Sequence, residues 1–195
     1  MQFHEGGIYH IYNRGNNKQR IFFTDANYLY FLDKVGKHIY PNCDILAWCL
    51  MPNHFHFLIQ ANEKTCQLSK TNPGVVNKLS NDIGLMLSSY SKAINKQETR
   101  IGNLFQQRTK SKLVHDSQNN YGLTAFHYIH QNPMKAQLVS RMEDWKFSSF
   151  TEYMGLRDMP LCNTALANAL FNLKPETFVS DSYAALNEDS IKKIW

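Results

Sequence analysis

The chain has 195 residues, 43% of them hydrophobic and 19% charged, with a formal net charge of +5. That length and apolar content predict one domain with a core of ordinary size, and no apolar run reaches the ~18 residues that a membrane helix needs. Residues 1–155 carry 17 Lys and Arg against 11 Asp and Glu, whereas residues 156–195 carry 4 against 5, so the positive charge sits where a phosphate-bearing partner would be held.

Cys43, Cys49, Cys66 and Cys162 lack the spacing of a zinc or redox motif, and no export signal precedes them. They are expected to be reduced thiols of a cytoplasmic protein.

In chain order, residues 8–14 alternate and are rich in Ile and Tyr, which predicts a first strand. Arg14-Gly15-Asn16-Asn17 is a turn cluster. Thr24 or Asp25 caps a predicted helix to about Tyr40, with apolar positions at Tyr28, Leu29, Phe31, Leu32 and Val35, and Pro41-Asn42 stops it. Residues 43–50 are almost continuously apolar and predict a buried central strand. Pro52-Asn53 then turns this strand into a second hairpin arm.

Residues 61–74 are polar and hold a Pro-Gly pair, hence a loop. From Val75 to about Lys96, apolar residues at Val76, Leu79, Ile83, Leu87, Tyr90 and Ile94 have helical spacing. Gly102 breaks that pattern, and residues 105–115 predict a basic strand. Asn119-Asn120 leads into a helix over about 121–131 that Pro133 ends or kinks. The order β-α-β-β-α-β followed by another helix predicts an α+β, ferredoxin-like antiparallel sheet with helices on one face. Two short helices, over 163–173 and 177–187, form a predicted appendage from residue 156 onward, behind a domain spanning 1–155.

The second hairpin arm carries the most informative residues. In Met51-Pro52-Asn53-His54-Phe55-His56-Phe57-Leu58-Ile59-Gln60, His54 and His56 are two apart on a strand and leave the same face. A side-by-side imidazole pair suits a metal, although histidines also fill cores and interfaces. Farther on, Tyr128 and Asn132 are four apart on the predicted helix and share a face. If that face meets the histidines, a phenol lies beside a donor set of two imidazoles and an amide oxygen, which suits a divalent ion with open positions for phosphate. A phenol so placed could attack phosphorus and form a covalent intermediate. Packing is the simpler explanation for any one of ten tyrosines, and Asn132 before Pro133 could mark nothing more than a helix end. Of the neighbours His127 and His130, one is expected to face outward and one to face the core.

Five segments together resemble a known family. They are Tyr9-His10-Ile11-Tyr12-Asn13-Arg14-Gly15, Met51 to Leu58, Phe105-Gln106-Gln107-Arg108, Tyr128 to Ala136, and Trp145-Lys146-Phe147-Ser148-Ser149. In that order they resemble the single-tyrosine HUH transposases, in particular the REP-associated tyrosine transposase branch, over about residues 3–155. The resemblance implies a transposase-like endonuclease and strand transferase that cuts single-stranded DNA beside a hairpin through a 5′-phosphotyrosine. It implies Tyr128 as nucleophile and His54, His56 and Asn132 as ligands of Mg²⁺ or Mn²⁺, with Gln131 as second choice for the third ligand. Arg14, Arg108, Lys110, Lys112 and Lys135 become candidate DNA contacts, and Tyr12 or Phe105 a stacking surface for unpaired bases. No small-molecule cofactor or membrane is expected, and a monomer is expected over a homodimer. Two other functions compete: a nucleic-acid binding module without chemistry, built on a ferredoxin-like sheet, and a hydrolytic zinc enzyme, which would want a third His or a carboxylate.

Overall fold

The computed structural model describes residues 1–69, 76–115, 121–158, 160–184, 186 and 188–193. The end of the predicted loop 61–74, Val75, Asn119-Asn120, and residues 185 and 187 of the last predicted helix lie outside the described residues.

Four strands form one sheet: β1 (Ile8–Arg14), β2 (Asp44–Met51), β3 (His54–Gln60) and β4 (Lys110–His115). They pair in the order β2-β3-β1-β4, antiparallel throughout, which is the predicted ferredoxin-like topology. Between them run α1 (Asp25–His38), the single turn α2 (Glu63–Cys66) and α3 (Lys78–Gln97). After β4 come α4 (Gly122–Lys135), α5 (Phe150–Tyr153), α6 (Thr164–Phe171), α7 (Phe178–Tyr183) and α8 (Glu188–Lys192).

Alternation along the strands divides the interior into two cores. Phe55, Phe57 and Ile59 of β3 join Tyr9 and Ile11 of β1 against Tyr28, Phe31 and Val35 of α1 and Leu79, Ile83, Leu87, Tyr90 and Ile94 of α3. The opposite face presents Ile8, Leu46, Ala47, Cys49, Leu58 and Val114 to Phe126 and Ile129 of α4 and to Phe150, Phe171 and Phe178 behind it. Burying these aromatic and branched side chains contributes on the order of 1.5–3 kcal/mol each relative to exposure.

Several expectations need correction. β2 is an edge strand in the sheet order and not a central one. Its continuous apolar run is explained by cover on both faces and along its outer edge. There Phe147 O accepts from Leu50 N at 2.9 Å, and Ser149 N donates to Trp48 O at 2.9 Å. The Trp145–Ser149 segment therefore occupies backbone groups that an open edge would offer to another chain. Glu152 adds to this cover by accepting from Trp48 Nε1 and from the Cys162 backbone N–H, each at 2.9 Å. The strand predicted over 105–115 begins only at Lys110, and Phe105 makes an isolated bridge to Gly15. Leu29 on α1 is exposed rather than part of the buried face. Pro133 does not end α4, which continues to Lys135; so near the C-terminus the missing proline N–H removes only one bond of the last turn. The tail holds α8 in addition to the two short helices expected.

Both His127 and His130 are buried, against the expectation that one would face outward. The helix that carries them is enclosed by the sheet on one side and the tail on the other, so no face of its middle turn meets water. His130 Nε2 lies 2.8 Å from Ser149 Oγ, amid Phe126, Phe150, Tyr153 and Phe178. Burial, and secondarily His127, push its pKa down to about 3.

Loop 15–19 is equally constrained. Gly15 N donates to Asn53 O at 2.7 Å, and Gln19 Nε2 donates to Leu104 O at 2.8 Å. A Cβ on Gly15 would stand 2.1 Å from the Gln19 carbonyl oxygen. That oxygen is backbone, so the loop would have to move.

Two outcomes are expected. The unfolded His130 takes up a proton below about pH 6.5, while the folded one stays neutral down to about pH 3. Its contribution is therefore complete above pH 6.5 and is lost as pH falls, by roughly 1.4 kcal/mol per pH unit. Urea unfolding at pH 7.5 and pH 5 should give a stability drop that shrinks in His130→Gln; an unchanged drop assigns the acid sensitivity elsewhere. Gly15→Ala should destabilise the chain by about 1–3 kcal/mol through overpacking, read from the urea midpoint.

Candidate active site

His54 and His56 project from β3 onto the face opposite its phenylalanines, as the alternation requires. Their rings stand 4.9 Å apart, centroid to centroid, nearly perpendicular. His54 is half-buried and His56 is fully buried. Burial lowers both pKa values: His54 falls to about 4 with help from Arg14, and His56 falls well below its ordinary value with help from His10 and His54. Both imidazoles are thus neutral at pH 7, the form that can donate a lone pair to a metal.

Each Nδ1 has a protein neighbour. His54 Nδ1 lies 2.6 Å from Asn53 Oδ1, in the hairpin turn. His56 Nδ1 lies 2.8 Å from His10 Nε2, on the adjacent strand β1. In the tautomer where each Nδ1 donates its proton, the lone pair sits on Nε2 of both rings.

Helix α4 brings Tyr128 to this same face. Its ring centroid is 6.1 Å from that of His56 and 6.5 Å from that of His10, edge-on to both. Tyr128 is largely buried, and Lys135 Nζ lies 5.8 Å from its ring centre. One turn on, Asn132 Nδ2 donates to the Tyr128 carbonyl at 2.9 Å, so its amide oxygen is the end suited to a cation. Gln131 points elsewhere: its Nε2 donates to Ser182 O and Ala184 O of the tail at 2.8 and 3.0 Å. At the N-terminal end of α4, a Cβ on Gly122 would meet the Phe171 ring at 2.7 Å, so glycine there allows the close approach of α6.

A cavity of about 290 Å³ opens beside the histidines. Its walls include His54, His56 and Tyr12, with Arg14, Lys18, Arg108 and Lys110 supplying positive charge. Three of the five basic residues singled out from sequence, Arg14, Arg108 and Lys110, meet there. Lys112 pairs with His10 across β1–β4 but does not line the cavity, and Lys135 lies over Tyr128. Of the two candidate stacking residues, Tyr12 lines the cavity with Lys110 Nζ 5.8 Å from its ring centre. Phe105 is packed against Phe55 and Tyr90 in the first core and is not available to bases.

Sequence reasoning missed His10, Asn53 and Lys18. For His10 a signal existed: it is two residues from Tyr12 on a strand, hence on one face with it. The pairing of β1 with β3 was needed to place it beside His56. Lys18 lies in a short 3₁₀ turn with φ +59°, and no periodicity announces its direction. Among the described residues no cluster of three or more His, Cys, Asp and Glu could hold a metal ion. Among those residues, a catalytic zinc site of the usual composition therefore finds no third ligand. Among the described residues no helix is long and apolar enough to cross a membrane.

Known proteins resemble this chain in sequence and in fold. The sequence model of the family described as IS200-like transposases matches residues 5–132. A Haemophilus influenzae protein that carries the name REP-associated tyrosine transposase is 26% identical over 151 residues, covering 76% of this chain and 82% of that protein. A solved structure described as a REP-associated tyrosine transposase bound to a REP hairpin superposes with a TM-score of 0.57 at 18% identity, covering 83% of this chain and 87% of that one. On the match over residues 5–132, the chain belongs to the IS200-like transposase family.

Proposed function

We propose that this chain cuts single-stranded DNA beside a hairpin and rejoins strands through a covalent 5′-phosphotyrosine on Tyr128. The observation that carries this reading is the 6.1 Å separation of the Tyr128 and His56 rings on one sheet face. A phenol packed only as core filler has no reason to stand edge-on to His56, whose imidazole lines a basic cavity. In the reaction, Tyr128 Oη attacks the phosphorus, the bond from phosphorus to the 3′ oxygen breaks, and the departing 3′ hydroxyl takes a proton from solvent. The phenolic proton leaves to water.

The donor set fits a hard or borderline divalent ion such as Mg²⁺ or Mn²⁺: Nε2 of His54, Nε2 of His56 and the amide oxygen of Asn132. When bound, such an ion would polarise the phosphoryl group and lower the cost of ionising the phenol. Asn132 is favoured over Gln131, whose amide holds the tail. Arg14, Lys18, Arg108 and Lys110 would track the phosphates, with Lys112 and Lys135 at the margin. Tyr12, raised above its ordinary pKa by burial and so kept as a phenol, would stack on an unpaired base. Support for a hairpin as substrate comes from the similar solved structure, which is described as bound to one. We assign residues 1–155 to the catalytic unit and 156–195 to an appendage that backs it, and we place the reaction in the cytoplasm. The monomer is the favoured working unit, because His54, His56 and Tyr128 come from one chain.

Incubating the chain with a 5′-extended hairpin oligonucleotide and Mn²⁺ should yield a protein–DNA adduct visible on a denaturing gel. Tyr128→Phe should abolish the adduct and keep hairpin binding within about threefold, and EDTA should suppress the adduct in the wild type. Binding without any adduct, at every metal concentration, would favour the non-catalytic module. Separately, Arg108→Ala should weaken hairpin binding and reduce the slope of log K against log salt by about 1, as loss of one phosphate contact does.

A further inference from the structure

We infer that His10 is a positioning residue for the metal site: its Nε2 accepts the Nδ1–H of His56 and so fixes which nitrogen of His56 faces the cation. This rests on the metal-dependent reading above and adds to it a residue on a different strand.

His10 is fully buried on β1, at a position where its neighbours Ile8 and Leu58 belong to an apolar core. A buried imidazole there has a desolvation cost that an aliphatic residue would avoid, so a compensating polar contact is required. One such contact is the 2.8 Å approach of His10 Nε2 to His56 Nδ1. The two rings lie nearly parallel, 5.0 Å between centroids with a 21° tilt. The ring also stacks on Tyr12, at 4.7 Å and 27°. Rotation of His10 would break its stack on Tyr12, so the orientation of that ring is fixed by packing as well as by the hydrogen bond.

Tautomer logic supplies the direction. A neutral histidine holds one proton on its two ring nitrogens. For His56 to offer a lone pair at Nε2, its proton must sit on Nδ1, and it then needs an acceptor. His10 Nε2 is that acceptor, which puts the His10 proton on its own Nδ1. His54 has an equivalent acceptor in Asn53 Oδ1 at 2.6 Å. The two imidazoles are thus held by two different devices: one from the hairpin turn next door in sequence, the other from a strand forty-six residues away. Partners of this kind usually account for 10–100-fold in metal affinity.

The test measures Mn²⁺ affinity of the full chain without DNA, by electron paramagnetic resonance titration, for wild type, His10→Leu, His10→Gln and His10→Asn. Hairpin binding and the melting temperature are measured in EDTA alongside. His10→Leu should weaken Mn²⁺ 10–100-fold while hairpin binding in EDTA stays within twofold, and excess Mn²⁺ should restore adduct formation. The longer carboxamide of His10→Gln carries its oxygen near the place of Nε2 and should recover most of the affinity. His10→Asn, one methylene shorter, should not. Wild-type affinity in His10→Leu overturns the inference. If His10→Leu fails to melt cooperatively, the Gln and Asn variants decide: equal affinities overturn the inference, and a tenfold or greater gap upholds it. A wild type that binds no Mn²⁺ defeats the metal-dependent reading itself and the inference with it, an outcome separate from an unaffected variant.

Discussion

Alternation along β3 is the constraint on which the rest of the structure depends. One set of residues, Phe55, Phe57 and Ile59, is drawn into the aromatic core beneath α1 and α3. The other set, His54 and His56, is thereby turned to the opposite face without any force acting on the imidazoles themselves. A shift of one residue in register would send the histidines into that core and the phenylalanines toward the cavity. The cost of burying two imidazoles among phenylalanines, together with the loss of the aromatic contacts, makes such a slip prohibitive. Hydrophobic burial on one face therefore sets the chemistry available on the other.

The second face is finished by α4 and by segments that hold it down. Trp145–Ser149 runs along the edge of β2, and His130 reaches Ser149 Oγ from the helix, so edge cover and helix are tied by one serine. Gln131 fastens the far side of α4 to the tail. A helix enclosed in this way has little freedom to rotate, which keeps Tyr128 directed at the histidines. The neutral state of those histidines follows from the same enclosure, since burial is the leading cause of their lowered pKa values.

Much of this was legible in the sequence where the signal was local. The hairpin at Pro52-Asn53, the period of α3 and the shared face of His54 and His56 each depend on residues a few positions apart. The β-α-β-β-α-β order then limits the topology to a handful of choices. What stayed hidden depends on neighbours distant in sequence. An apolar run cannot say whether a strand is central or lies at a covered edge, so β2 was misplaced. The burial of His127 and His130 requires knowing that a second layer covers α4. His10 looked like one more residue of an aromatic strand until the pairing of β1 with β3 set it beside His56. Pro133 predicts an end or a kink because its penalty applies in a helix interior, whereas here it falls in the last turn and the helix runs on to Lys135.

The clasp between Gln131 and the carbonyls of Ser182 and Ala184 has a consequence for how the molecule comes into being. Synthesis runs from the N-terminus, so the hairpin of His54 and His56 emerges well before these carbonyls. Until they emerge, the phenol-bearing helix has its inner support and lacks its outer one. The packing that fixes Tyr128 beside His56 is thereby completed only once residues 182–184 have emerged and met Gln131.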